Sequence, residues 1–308
     1  MTAHKIEVQK IATLTGHNDC VYTLVPSADP AVFYSAGGDG MVVSWDLQQP
    51  ENGQLVARVT TSVYALCALP ERNLLLIGQN TEGVQVIDLQ DKKILKSVPL
   101  PKVAIFDIAV APEKGKVFVA MGNGAIAVLS SETFELQTLI RKSDQSARCL
   151  ALNPYTDELA VGYSDNKVRV FDAATLELKY ELESHTNSVF TVAYSPDGKL
   201  LLSGGRDAHL RVWNVQEKYK EQGYVIAHMY TINHITYSPD GRHFATCSMD
   251  KSIKVWDAQT FRLLKVIDKV RNASHGTSVN KLFWSAHHNQ LVSCSDDRTI
   301  SVWDINLG

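Results

Sequence analysis

Four times along the chain a histidine, a hydroxyl residue, an aspartate and a tryptophan recur at one spacing. The sets are His17, Ser35, Asp39 and Trp45; His185, Ser203, Asp207 and Trp213; His228, Thr246, Asp250 and Trp256; and His275, Ser293, Asp297 and Trp303. His to Asp is 22 residues in each set, hydroxyl to Asp is 4 and Asp to Trp is 6. Serine, histidine and aspartate are the residue types of a nucleophilic triad, in which imidazole takes the hydroxyl proton and the carboxylate orients the imidazole. The same types also make a passive hydrogen-bond chain, because a carboxylate only accepts, an indole N–H only donates, and imidazole and hydroxyl do both. Repetition decides between the two. A catalytic centre needs one place where nucleophile, base and oxyanion donors converge, whereas here equivalent sets are spread along the chain, and none of the serines sits in a Gly-x-Ser-x-Gly elbow. The sets therefore read as structural, with no catalytic residue among them.

The elements that hold them are short strands in a repeating unit. Ser195 to Trp213 and Ser238 to Trp256 align with a period of 43, and the Trp position recurs as Trp45, Ile87, Leu129, Phe171, Trp213, Trp256 and Trp303. In the clearest unit the pattern predicts a strand over Ser188 to Tyr194, a Pro196-Asp197-Gly198 turn and a strand over Leu200 to Gly204. An Arg206-Asp207-Ala208 turn and a third strand ending at Trp213 follow. A fourth strand, such as Tyr180 to Leu182, precedes the next unit. Four short antiparallel strands repeated seven times predict an all-β, seven-bladed β-propeller occupying residues 1–308 as one domain. A ring must close or leave an edge exposed. The last unit ends just after its third strand, so Lys5 to Leu14 is expected to complete the blade of Trp303.

With Gly16-His17 and Trp45-Asp46, and with Trp256-Asp257 and Trp303-Asp304, the chain resembles the WD-repeat family, whose units begin near Gly-His and end in Trp-Asp. Ser184-His185, Ala227-His228, Ser274-His275 and Trp213-Asn214 are near matches. The resemblance implies a buried hydrogen-bond chain running from the turn Asp through His and Ser or Thr to the Trp indole. Repeats two to four depart from it. They carry Val59, Pro101 and Ser143 at the His position, Ile77, Val119 and Val161 at the Ser position, and Ile87, Leu129 and Phe171 at the Trp position. This exchanges most of the network for apolar packing, with Asp165 left as an ordinary turn residue, and these blades are expected to open more readily than the others.

Composition limits the function. The 308 residues are 45% hydrophobic and 20% charged with a net charge of -3, which suits a globular core and offers no basic field for nucleic acid. No run of apolar residues is long enough to span a membrane, and no secretory leader is visible, so a cytoplasmic or nuclear protein is expected. The five cysteines form no C-x-x-C pair, and Cys247 and Cys294 read as small buried fillers. His287 and His288 have no carboxylate or thiol at ligand spacing, so no metal and no cofactor is expected. Asn272-Ala-Ser274 is a glycosylation sequon that is idle without a secretory signal.

Function is thereby left to the surface. In WD-repeat propellers the face bearing the His and the turn Asp, the top, is the common docking face for peptides and protein segments. Carried onto this chain, one position early in each innermost strand gives Tyr22, Tyr64, Phe106, Arg148, Phe190, Asn233 and Asn280. The position just before the turn Asp adds Arg206 and Met249, alongside Gly38, Asn80, Gly122, Ser164 and Asp296. Aromatics with Arg and Met are the composition of interface hot spots, suited to a peptide with an apolar anchor and a carboxylate or phosphate. The expected function is a non-catalytic scaffold that binds a protein or peptide, as one subunit of a multiprotein complex, without a small-molecule substrate or direct nucleic-acid contact. The alternatives are a propeller hydrolase or lyase with a site in the central channel, and a role in an RNA-associated assembly through protein contacts. Extra residues near Lys269 to Ser274 are expected to form a top-face loop beside the channel.

Overall fold

The computed structural model, which describes residues 6–306, is almost entirely strand, arranged in seven four-stranded antiparallel sheets. Their first strands are Val21–Pro26, Val63–Leu69, Ile105–Ala111, Ala147–Leu152, Val189–Tyr194, Ile232–Tyr237 and Val279–Trp284, and these open blades one to seven. Six blades use four strands consecutive in sequence. In the seventh, Glu7–Leu14 lies antiparallel to Ile300–Asn306, with Glu7 opposite Asn306 and Leu14 opposite Ile300. Lys5, included in this strand by the sequence pattern, lies outside the described residues. Pairing here satisfies an edge whose N–H and C=O groups would otherwise be open, and it buries Leu14. The fold class is the all-β seven-bladed β-propeller.

The chain divides into two compact units. One holds the residues up to Arg58 with those from Asn233 onward, and so blades one, six and seven; the other is Val59–Ile232, blades two to five. In the second, Glu158–Tyr163 is buried at every residue, as a strand packed on both faces must be, whereas Leu136–Arg141, the outermost strand of its blade, is exposed at all but Ile140. Its core gathers Leu76, Val86, Ile105, Val119 and Met121. The core of the first unit gathers Ala245, Ile253, Leu282, Leu291 and Trp303. Cys247 and Cys294 are fully buried there, and burial pushes the Cys294 thiol up to about 12.

The apolar substitutes at the Ser and Trp positions of blades two to four are buried. Ile77, Val119, Val161, Ile87, Leu129 and Phe171 are at most 1% exposed, so no polar partner is orphaned among them. Such packing speaks against those blades opening first, because replacing every partner of a buried network together can be nearly neutral. Blade four does keep a polar device. Arg169 is 2.8 Å from Asp165, donates from Nε to Glu181 at 2.7 Å and stacks on Tyr163, so Asp165 is an ion-pair partner as well as a turn residue.

The extra residues after blade six form a single helical turn, Lys269–Asn272, capped by Asp268 accepting from the Arg271 N–H at 2.8 Å. The turn packs against Glu7–Leu14, with Lys10 Nζ donating to the Ala273 carbonyl at 3.0 Å. It therefore sits by the outermost strand of blade seven, three strands from Val279–Trp284, and not beside the innermost strand where the loop was expected. Spacing gives the length of an insertion but not the direction in which its cap turns the chain.

Candidate functional site

In blade five, Trp213 Nε1–H donates to Ser203 Oγ at 2.8 Å, Ser203 Oγ lies 2.7 Å from His185 Nε2, and His185 Nδ1 lies 2.9 Å from Asp207. One proton arrangement satisfies all of them, with the hydroxyl donating to Nε2 and Nδ1–H donating to the carboxylate. The chain repeats in blade one, where Trp45 to Ser35 is 2.7 Å, Ser35 to His17 is 2.8 Å and His17 to Asp39 is 3.1 Å. In blade seven, Trp303 to Ser293, Ser293 to His275 and His275 to Asp297 are each 2.9 Å. In blade six Trp256 Nε1–H donates to Thr246 Oγ1 at 2.9 Å, and His228 is buried and Asp250 half-buried. Ser35, Ser203, Thr246 and Ser293 are fully buried. A hydroxyl with no exposed surface cannot meet a substrate.

Electrostatics fit a fixed link. Burial alone would raise the Asp207 carboxyl, but the His185 hydrogen bond and the backbone N–H groups of Thr186 and His209 hold it at about 2. Asp297 is likewise held well below the usual range against its burial, by His275 and Thr299. Burial keeps the His17 imidazole below its ordinary pKa despite the neighbouring Asp39.

The surface positions share a backbone device. The ladder between the first two strands shifts register across Val21/Thr23, Val63/Ala65, Ile105/Asp107, Ala147/Cys149, Val189/Thr191 and Val279/Lys281. The skipped residue is Tyr22, Tyr64, Phe106, Arg148, Phe190 or Asn280 in turn, each half-buried and each preceded by a fully buried residue. A β-bulge leaves one residue unpaired and re-aims its side chain. The bulge is closed by one repeated bond, from the N–H before the turn position back to the first strand. Ser164 donates to the Ser146 carbonyl at 2.9 Å and Arg206 to the Ser188 carbonyl at 2.8 Å, and Gly38, Asn80, Gly122 and Asp296 do the same in their blades. The two positions singled out in the sequence thus meet at one end of these six blades.

Within Val59–Ile232 these residues make one cluster. The Tyr64 and Phe106 rings are 5.9 Å apart, and the Arg148 guanidinium carbon lies 4.3 Å from the centre of Phe106 and 4.8 Å from that of Phe190. Arg148 Nε–H donates to Ser164 Oγ at 2.9 Å. Burial lowers the pKa of Arg148, and the charge of Arg206 adds to the effect. Arg206 is exposed at the adjoining turn.

In the other unit the equivalent residues are used differently. Asn233 Nδ2 donates to Ser278 Oγ at 3.0 Å and the Val279 carbonyl at 2.8 Å, and Asn280 Nδ2 donates to the Val21 carbonyl at 2.9 Å and Asp296 at 2.8 Å. Both amides therefore latch one blade to the next. Tyr22 is half-buried and Met249 is 57% exposed. Sequence reasoning missed Ile226, Met229 and Tyr230, which are 72%, 80% and 58% exposed where the chain leaves blade five. Ile226 ends the fourth strand of blade five and the other two follow it in the connection; all lie outside the periodic positions, and only their density of large apolar types within five residues could have signalled them. Among the described residues no group of three or more His, Cys, Asp or Glu could hold a metal ion, and no helix is long and apolar enough to cross a membrane.

Seven blades, several of them tied by His–Ser/Thr–Asp–Trp chains, define a propeller of the WD type. The family model for the WD domain, G-beta repeat, matches residues 8–46, 135–172, 176–214, 220–257 and 268–304, and the chain belongs to this family. Blade four falls inside a match despite its altered polar set, while blades two and most of three fall outside. The chain is 39% identical over 80 residues to the ribosome biogenesis protein ytm1 of Pyrenophora tritici-repentis, covering 25% of this chain and 17% of that one. It is 34% identical over 88 residues to the small ribosomal subunit protein RACK1 of Brassica napus, covering 28% and 26%, and 34% identical over 86 residues to the transducin beta-like protein 3 of Rattus norvegicus, covering 28% and 11%. The matches thus span about a quarter or less of the length of these relatives.

Proposed function

We propose that this protein is a non-catalytic scaffold that holds a protein or peptide partner on the bulge residues of blades two to five, with Tyr64, Phe106 and Phe190 as apolar anchors. The observation that carries the reading is the Phe106–Arg148–Phe190 stack, half-exposed at one end of the blades and positioned by three successive bulges. Aromatic and arginine side chains in such settings dominate binding energy. A hydrolase or lyase would need an acid or base among these side chains, and Tyr64, Phe106, Arg148, Phe190 and Arg206 supply no carboxylate, imidazole or thiol. Tyr22 and Met249 are proposed as further contacts in their own blades, and Asn233 and Asn280 as blade latches. Two relatives named for the ribosome or its biogenesis support a place as a subunit of a multiprotein assembly, in the cytoplasm or the nucleus, through protein contacts.

The test is Phe106→Ala combined with Phe190→Ala, followed by affinity purification with mass spectrometry beside a melting curve. Loss of two anchors at about 2 kcal/mol or more each predicts partner recovery reduced well over tenfold. A double variant that folds and keeps its partners at wild-type levels overturns the proposal.

A further inference from the structure

Resting on that scaffold reading, we infer that the partner is recognised through a glutamate or aspartate side chain that pairs with Arg148 and Arg206, with the adjoining apolar residues of the same segment lying on Ile226, Met229 and Tyr230. The buried arginines of this unit carry their own counter-charges. Arg169 has Asp165 and Glu181, and Arg211 has Glu221 at 2.6 Å. Arg148 and Arg206 differ: among the described residues neither has a carboxylate oxygen within the 4.0 Å of an ion pair. For half-buried Arg148 the missing counter-charge is costly, and an acid brought by a partner removes that cost, while exposed Arg206 adds attraction for the same acid.

Geometry narrows the acid. The Phe106 and Phe190 rings both lie against the Arg148 guanidinium, and its Nε is held by Ser164. What remains is the edge carrying the two terminal nitrogens, which matches the two oxygens of one planar carboxylate. A nucleic-acid strand would need a track of cations for successive phosphates. This cluster offers two cations, in a chain of net charge -3.

The apolar half of the footprint adjoins it. The Ala227 N–H donates to the Ala208 carbonyl at 3.0 Å, which ties the connection bearing Met229 and Tyr230 to the turn that begins at Arg206. Single exposed apolar residues are ordinary, but three large ones within five positions mark a contact surface.

The experiment uses the full chain and labelled nine-residue peptides in which a central Glu is followed by each pairing of Leu, Ile and Phe. Every peptide has a Gln twin and a phosphoserine twin, and oligouridylate is a separate probe; binding is read by fluorescence anisotropy. The expected result is a Glu peptide bound at least tenfold more tightly than its Gln twin, with the preference lost in Arg148→Gln and in Arg206→Glu. The second variant lies at an exposed position, so it remains informative if the first folds poorly. Met229→Ser with Tyr230→Ser should weaken binding several-fold and leave the Glu-to-Gln ratio unchanged. The inference is overturned if no Glu peptide beats its Gln twin, if the preference survives both arginine variants, or if only the phosphoserine peptides or oligouridylate bind. Partner loss in Phe106→Ala/Phe190→Ala beside full retention in Arg206→Glu would leave the scaffold reading standing and remove this one.

Discussion

Replacing Asp207 by alanine withdraws the acceptor of three donors at once: His185 Nδ1–H at 2.9 Å and the backbone N–H groups of Thr186 and His209 at 3.0 and 3.1 Å. The His185 side chain is 1% exposed, so its freed donor stays buried, at a cost of about 1 to 3 kcal/mol. The two backbone groups lie nearer solvent and add about 1 kcal/mol together, giving a loss of roughly 2 to 4 kcal/mol. The carboxyl pKa offers a second route to the same quantity. A fall from 3.8 to about 2 corresponds to roughly 2 kcal/mol of preference for the ionised form in the fold. Because the folded pKa lies below the unfolded one, this stabilisation is complete above about pH 5 and is lost as the pH falls through 3.8 toward about 2. Urea unfolding of wild type and Asp207→Ala at pH 7 should differ by about 2 to 4 kcal/mol, and the gap should shrink by about 2 kcal/mol near pH 2.5. A gap under about 0.5 kcal/mol at pH 7, or one that is constant with pH, refutes the hydrogen-bond account.

Deleting Glu7–Leu14 should expose the edge of Ile300–Asn306 and uncover the core of blade seven, lowering the melting temperature by about 10 °C or more; an unchanged melting temperature contradicts the observed closure. Amide exchange in Leu74–Gln79 and Lys116–Met121 should be as slow as in Leu200–Gly205, since the apolar substitutes are fully packed, and exchange at least a hundredfold faster in the first two would restore the view that the polar chains set local stability.

The fold was legible because each polar chain fixes its members at constant spacing. A donor that must reach one acceptor across two strands cannot tolerate an inserted residue, so His185, Ser203, Asp207 and Trp213 repeat the intervals of His17, Ser35, Asp39 and Trp45. In blades two to four, where that demand is gone, the 42-residue interval of Tyr64, Phe106 and Arg148 remains, and the bulge explains why it does. The bulge itself was not legible, since no residue type is specific to it. Nor was the use of Asn233 and Asn280, because an amide that binds a neighbouring blade and one that faces solvent look alike in sequence. Arg169 escaped notice for a different reason. Its partners Asp165 and Glu181 are brought to it by the turn and by the fourth strand, an arrangement that periodicity does not encode.

The central claim, that a protein partner is held at the Phe106–Arg148–Phe190 cluster, is tested most directly by photo-crosslinking in cells. The photoreactive amino acid p-benzoylphenylalanine is placed either at Phe190 or, for comparison, at Ile94, a 55% exposed apolar residue on the outermost strand of blade two. The account predicts a discrete partner adduct from position 190 that is absent from position 94 and is abolished when Phe106→Ala is added. An adduct from position 94 with none from position 190 would contradict it.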